Sequence, residues 1–149
     1  MISAKNSNKM NHISNGNIKG SLKLLHFNKG NSKLANKMDD ILYIIGTHKP
    51  DLFSLQEANL DIKDIPNIQG YNIEFSTLSP NYNISRTVVL IKEGINYSRR
   101  QEYEDTDISS VWLEIILKKV SHFIFVRTID SGLFHLVSVL IRLIVNVNR

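Results

Sequence analysis

Two polar residues stand where short apolar runs stop: Asn28 after Leu24-Leu25-His26-Phe27, and Glu57 after Leu52-Phe53-Ser54-Leu55-Gln56. A carboxylate and an amide oxygen are hard donors. They suit Mg²⁺, which takes one or two protein carboxylates and fills its remaining positions with water and substrate phosphate. The ordinary alternative is a solvated glutamate and a turn-forming asparagine. Other chemistries are excluded more firmly. Cys is absent, so there is no thiol nucleophile, disulfide framework or Cys-ligated metal in this sequence. His12, His26, His48, His122 and His135 are dispersed without metal-ligand spacing. No glycine-rich phosphate loop and no Gly-x-Ser-x-Gly element occurs, which removes P-loop and α/β-hydrolase chemistry.

The elements that would bring Asn28 and Glu57 together follow from periodicity. Ser21 to Phe27 alternates in part as a strand and stops at the turn-rich Asn28-Lys29-Gly30-Asn31. Ser32 is placed to cap a helix whose apolar face carries Leu34, Met38, Ile41, Leu42 and Ile45. Gly46 is expected as its C-terminal cap, and Pro50 blocks further winding. Leu52 to Leu55 then reads as a short buried strand ending at Gln56-Glu57, with Asn59 and Asp61 in the loop beyond. A helical crossover is right-handed and makes its flanking strands parallel, so both carboxyl ends reach one sheet edge. Ligands bind at that edge in open α/β sheets. Asn28 and Glu57 are therefore expected side by side.

The 149 residues are 42% hydrophobic and 21% charged, ordinary usage for one globular domain. Residues 1–20 stand apart as a flexible, weakly basic, Asn-rich tail carrying Lys5, Lys9 and Lys19 and no acidic residue. It has no continuous apolar stretch of a secretory signal, so an intracellular protein of the cytoplasm or nucleus is expected rather than a secreted one. Strands are predicted at Tyr71–Phe75, Thr87–Ile91, Val111–Leu117 and Phe123–Val126, with turns at Gln69-Gly70 and Gly94. The apolar stretch from Leu133 to Val147 is too short and too polar for a membrane span, and its pattern fits a helix or a strand. The net charge of +4 permits a polyanionic partner without requiring one.

Leu24-Leu25-His26-Phe27-Asn28 followed, after a helix, by Asp51-Leu52-Phe53-Ser54-Leu55-Gln56-Glu57-Ala58-Asn59 resembles the start of the endonuclease/exonuclease/phosphatase family. The stretches from Arg86 to Tyr97 and from Ser109 to Ile115 are similar to the endonuclease domains of non-LTR retrotransposon polyproteins. The resemblance covers residues 21–119. It implies an α/β fold of two stacked β-sheets flanked by helices, an α/β/β/α sandwich, and Mg²⁺-dependent cleavage of nucleic-acid phosphodiesters. By that likeness Glu57 is the metal-binding glutamate and Asn28 the asparagine that organises metal and phosphate, with Mn²⁺ as a possible substitute.

Later motifs of the family, an Asp-x-Asn element and an Asp–His pair that activates water, have no match. Asp130 and His135 lack the required context. The chain thus reads as a partial domain at 21–119 with a divergent apolar tail at 120–149, an incomplete sandwich whose metal is weakly held and whose activity is lost. DNA contact through phosphates is the expected partner interaction, and open strand edges would favour self-association. The alternative is a non-catalytic nucleic-acid-binding or partner-dependent remnant, using Lys5, Lys9, Lys19, Arg99 and Arg100.

Overall fold

Strand β1 (Leu24–Asn28), helix α1 (Met38–His48) and strand β2 (Leu52–Asp61) form the expected strand–helix–strand unit in the computed structural model. The structure describes residues 22–28, 30, 32–76, 84–104, 109–117, 120–128 and 137–144, with the backbone course alone at 117, 120–128 and 137–144. The basic tail, Asp130 and His135 lie outside the described residues. β1 and β2 are parallel, with Leu24 opposite Leu52 and Asn28 opposite Gln56.

The helix departs from its expected form at both ends. Ser32 is not its cap: a 3-10 turn at Leu34–Lys37 precedes α1, whose N-cap is Lys37 without a side-chain bond. The tighter winding of that turn shifts the phase of the helix. Ile41 is buried and Ile44 and Ile45 pack beside it, whereas Leu42 is 47% exposed. Gly46 is not the C-terminal cap either. Winding continues to His48, and Lys49 closes the helix in the left-handed region at φ 46°, its N–H donating to the Ile45 carbonyl at 2.8 Å.

β2 is also paired antiparallel with β4 (Ile84–Lys92), and β4 with β3 (Tyr71–Phe75), giving a first sheet in the order β1-β2-β4-β3. A second, antiparallel sheet runs β5-β6-β7-β8 through Tyr97–Arg99, Ser109–Leu117, Val120–Thr128 and Val137–Ile144. The stretch whose pattern fitted either a helix or a strand is therefore a strand over 137–144. Its Val and Ile content suits the extended state, and pairing with β7 satisfies its backbone on one side.

Alternation along β2 and β4 builds two cores. Phe53, Leu55, Val88 and Leu90 meet Leu34 and Ile41 beneath the helix. Leu52, Val89 and Ile91 meet Val111, Leu113 and Ile115 between the sheets. The described residues thus form helix, sheet and sheet in layers, the α/β two-sheet sandwich that the resemblance implies. No helix among them is long and apolar enough to cross a membrane.

A cluster of ion pairs ties the sheets at one side. Arg99 on β5 donates to Glu74 on β3 at 3.1 Å and to both carboxylate oxygens of Glu104 at 2.9 and 2.8 Å. Tyr97 Oη adds a hydrogen bond to Glu74 at 3.0 Å, and burial first, then the nearby carboxylate, pushes that phenol's pKa up. The Glu104 side chain is only 5% exposed, and Arg99 is its bidentate partner there.

Three stability measurements check this account. Leu90→Ala should cost about 2–5 kcal/mol in denaturant unfolding, against less than about 0.5 kcal/mol for Leu42→Ala. Lys49→Gly should raise stability by about 1 kcal/mol, since glycine adopts positive φ without the Cβ penalty. Arg99→Ala should lower it by about 3 kcal/mol, because two carboxylates lose their shared counter-charge.

Candidate functional site at the carboxyl edge of the parallel strands

The parallel register fixes the site's geometry. Asn28 is the last residue of β1 and faces Gln56, so Glu57 follows at the same sheet edge. Asn59 and Asp61 are not loop residues, as expected from sequence, but belong to β2 itself. The ladder with β4 pairs Gln56 with Thr87 and resumes at Leu60 with Ser85. Three residues of β2, Glu57-Ala58-Asn59, thus stand against Arg86 alone. This enlarged bulge needs unusual backbone: Glu57 has φ 51° and Asn59 φ 43°, both left-handed. Ala58 between them is fully buried under the helix side and anchors the bulge.

Such backbone costs about 1–2 kcal/mol at a residue with a Cβ, with asparagine among the more tolerant. Strain of this kind concentrates at functional sites. Sequence reasoning missed the bulge. The available signal is the apolar-polar alternation that resumes at Ala58-Asn59-Leu60-Asp61, one residue out of phase, after the Gln56-Glu57 pair.

A chain of hydrogen bonds crosses the edge. Gly30 N–H donates to Asn28 Oδ1 at 3.0 Å, Ser32 N–H to the Gly30 carbonyl at 2.9 Å, and Asn59 Nδ2 to the Ser32 carbonyl at 3.4 Å. Beneath the bulge the space between the sheets turns from apolar to hydroxyl-lined. Ser76 Oγ lies 2.7 Å from both Ser85 Oγ and Ser109 Oγ, and Thr87 Oγ1 donates to the Ser109 carbonyl at 2.9 Å. Ser85 and Thr87 bracket Arg86, so this network joins the bulge to β6. On β1, His26 Nδ1 meets Ser54 Oγ at 2.7 Å, and desolvation lowers the imidazole pKa.

The donor set is small. Among the described residues no three His, Cys, Asp or Glu side chains group as a metal cage. One carboxylate and one amide oxygen, the latter already accepting Gly30 N–H, fit an ion that shares its shell with phosphate and water, and do not fit a self-sufficient protein site. Arg99 and Arg100, the cations expected on phosphates in the alternative reading, are held elsewhere. Arg99 pairs with Glu74 and Glu104, and Arg100 with Glu114 and Glu102. Arg86 is half-buried across from Glu57 at the site.

This layered sandwich, with an asparagine and a glutamate at one edge, is an α/β domain of two stacked sheets. A solved structure with this fold is the endonuclease domain of TRAS1, a telomere-specific non-LTR retrotransposon. The two align with a TM-score of 0.57 and 13% identity, over 74% of this chain and 48% of that one. The likeness shows the fold, and the chain spans about half the length of that domain. No protein-family model matches the sequence, and no curated protein matches it significantly.

Two measurements probe this edge. Glu57→Gly should leave the protein about 1–2 kcal/mol more stable than Glu57→Val, because the site demands positive φ. For His26 the folded pKa lies below its unfolded value, so its contribution is complete above pH about 6.5 and is lost as pH falls below it. Wild type should lose stability between pH 7.5 and 5 relative to His26→Gln, measured by chemical denaturation.

Proposed function

We propose that this chain carries the metal- and phosphate-binding half of a nucleic-acid phosphodiesterase site, derived from a mobile element, and that as written it does not cut DNA at an enzymatic rate. The observation that supports the reading is the placement of Asn28 beside the bulge that presents Glu57, on a fold shared with a retrotransposon endonuclease domain. Glu57 would hold Mg²⁺, or Mn²⁺ in its place, and Asn28 would steady the ion and the phosphate. A bound divalent ion neutralises charge on phosphoryl oxygens and on the departing oxygen.

The chain's own residues do the positioning. With Oδ1 of Asn28 engaged by Gly30 N–H, its Nδ2 is the group that donates to a phosphate oxygen. A single carboxylate holds Mg²⁺ poorly without that phosphate, so affinity for the ion alone is weak. The sequence offers no match to the family's Asp–His pair, and positioned acid–base groups commonly contribute ~10²–10⁴-fold. DNA is the partner this reading assigns, through its phosphates. A purely binding remnant has less support, because Arg99 and Arg100 are engaged by carboxylates.

Purified protein should leave supercoiled plasmid intact in Mg²⁺ or Mn²⁺, while binding DNA with an affinity that falls as salt rises. Nicking that Glu57→Ala abolishes would overturn the inactivity and leave the endonuclease assignment standing. Failure to bind DNA at low salt would overturn the assignment itself.

A further inference from the structure

We infer that Asn59 is a positioning residue that locks Glu57 and Asn28 at a fixed separation, an inference that rests on reading those two as the ligands of cation and phosphate. Two covalent paths leave the site edge, one toward Gly30 and Ser32 and one along the bulge. Below the edge they are joined by the β1–β2 ladder, whose last pair is Asn28 with Gln56. Above it, Asn59 Nδ2 donates to the Ser32 carbonyl across the two segments.

That bond completes a closed circuit. Asn28 Oδ1 accepts from Gly30, the Gly30 carbonyl accepts from Ser32, and the Ser32 carbonyl accepts from Asn59, two residues beyond Glu57. Asn59 serves twice. Its backbone takes the left-handed conformation that ends the bulge, which asparagine tolerates better than most residues, and its amide reaches across to Ser32. Glu57 is itself left-handed and lies where the β2–β4 ladder is interrupted, so the position of the bulge depends on ties outside that ladder. Groups that hold a metal ligand in orientation typically change metal affinity by about 10–100-fold when removed.

Mn²⁺ is the probe, read by paramagnetic broadening of backbone amide signals in the full chain. Wild type should show broadening centred on Glu57 and Asn28, and Glu57→Gln should abolish it. Asn59→Gly keeps the left-handed backbone and deletes the amide; it should weaken Mn²⁺ binding about tenfold and reduce broadening at Asn28 relative to Glu57. Asn59→Val, which also opposes positive φ, should weaken it further. If Asn59→Gly leaves both the affinity and the Asn28-to-Glu57 ratio unchanged while Glu57→Gln abolishes the effect, the positioning role is wrong. Wild-type broadening that is absent, or that survives Glu57→Gln, overturns instead the ligand reading beneath it. Should Asn59→Val fail to fold, Asn59→Gly decides.

Discussion

The parallel pairing of β1 with β2 is the constraint on which the rest of the molecule depends. Parallel neighbours need a crossover, and α1 supplies it while covering one face of the first sheet. The register then determines which side chains reach the carboxyl edge together. A slip of one residue would move Leu52 out of the space between the sheets and Phe53 out from beneath the helix, exchanging the two cores. Hydrophobic burial therefore enforces the same alignment that brings Asn28 to Glu57. The site inherits its geometry from packing that has no chemical role.

The two cores divide the labour along β4. Val88 and Leu90 serve the helix side, while Val89 and Ile91 serve the second sheet, so a nearly continuous apolar run is buried on both faces. Toward the bulge the second-sheet side changes character at Thr87 and Ser85. Their hydroxyls are satisfied by Ser76 and Ser109, which keeps the polar end of the interior from incurring an unpaired-group penalty. At one side of the sandwich, Arg99 plays the corresponding part for Glu74 and Glu104.

Much of this was legible in the sequence because hydrophobic period and turn chemistry act locally. The strand–helix–strand unit, the burial of Val88 to Ile91 and the turns at Gly70 and Gly94, both at positive φ, follow directly from such signals. Failures arose where a local preference met a longer-range requirement. Gly46 looked like a cap, but α1 continued to the limit set by Pro50, leaving Lys49 to adopt the left-handed turn. Leu42 fell off the stripe because the 3-10 turn before α1 changed its phase. Asn59 and Asp61 read as loop because the Gln56-Glu57 pair breaks the alternation where the bulge lies: β2 resumes pairing at Leu60 for reasons that lie on β4. At the edge, Asn28 and Glu57 were visible as residues, whereas the left-handed backbone and the hydrogen bonds that frame them were not.

The hydroxyl-lined end of the interior also governs where the protein breathes. Apolar contacts hold the sheets together at Ile91, Val111 and Ile115, and separating them there exposes hydrocarbon to water. Parting Thr87 and Ser85 from Ser76 and Ser109 exposes groups that water can solvate at once, so sub-global opening is least costly beside the bulge. Separating the sheets beside Thr87 and Ser85 therefore costs less than separating them along the apolar face.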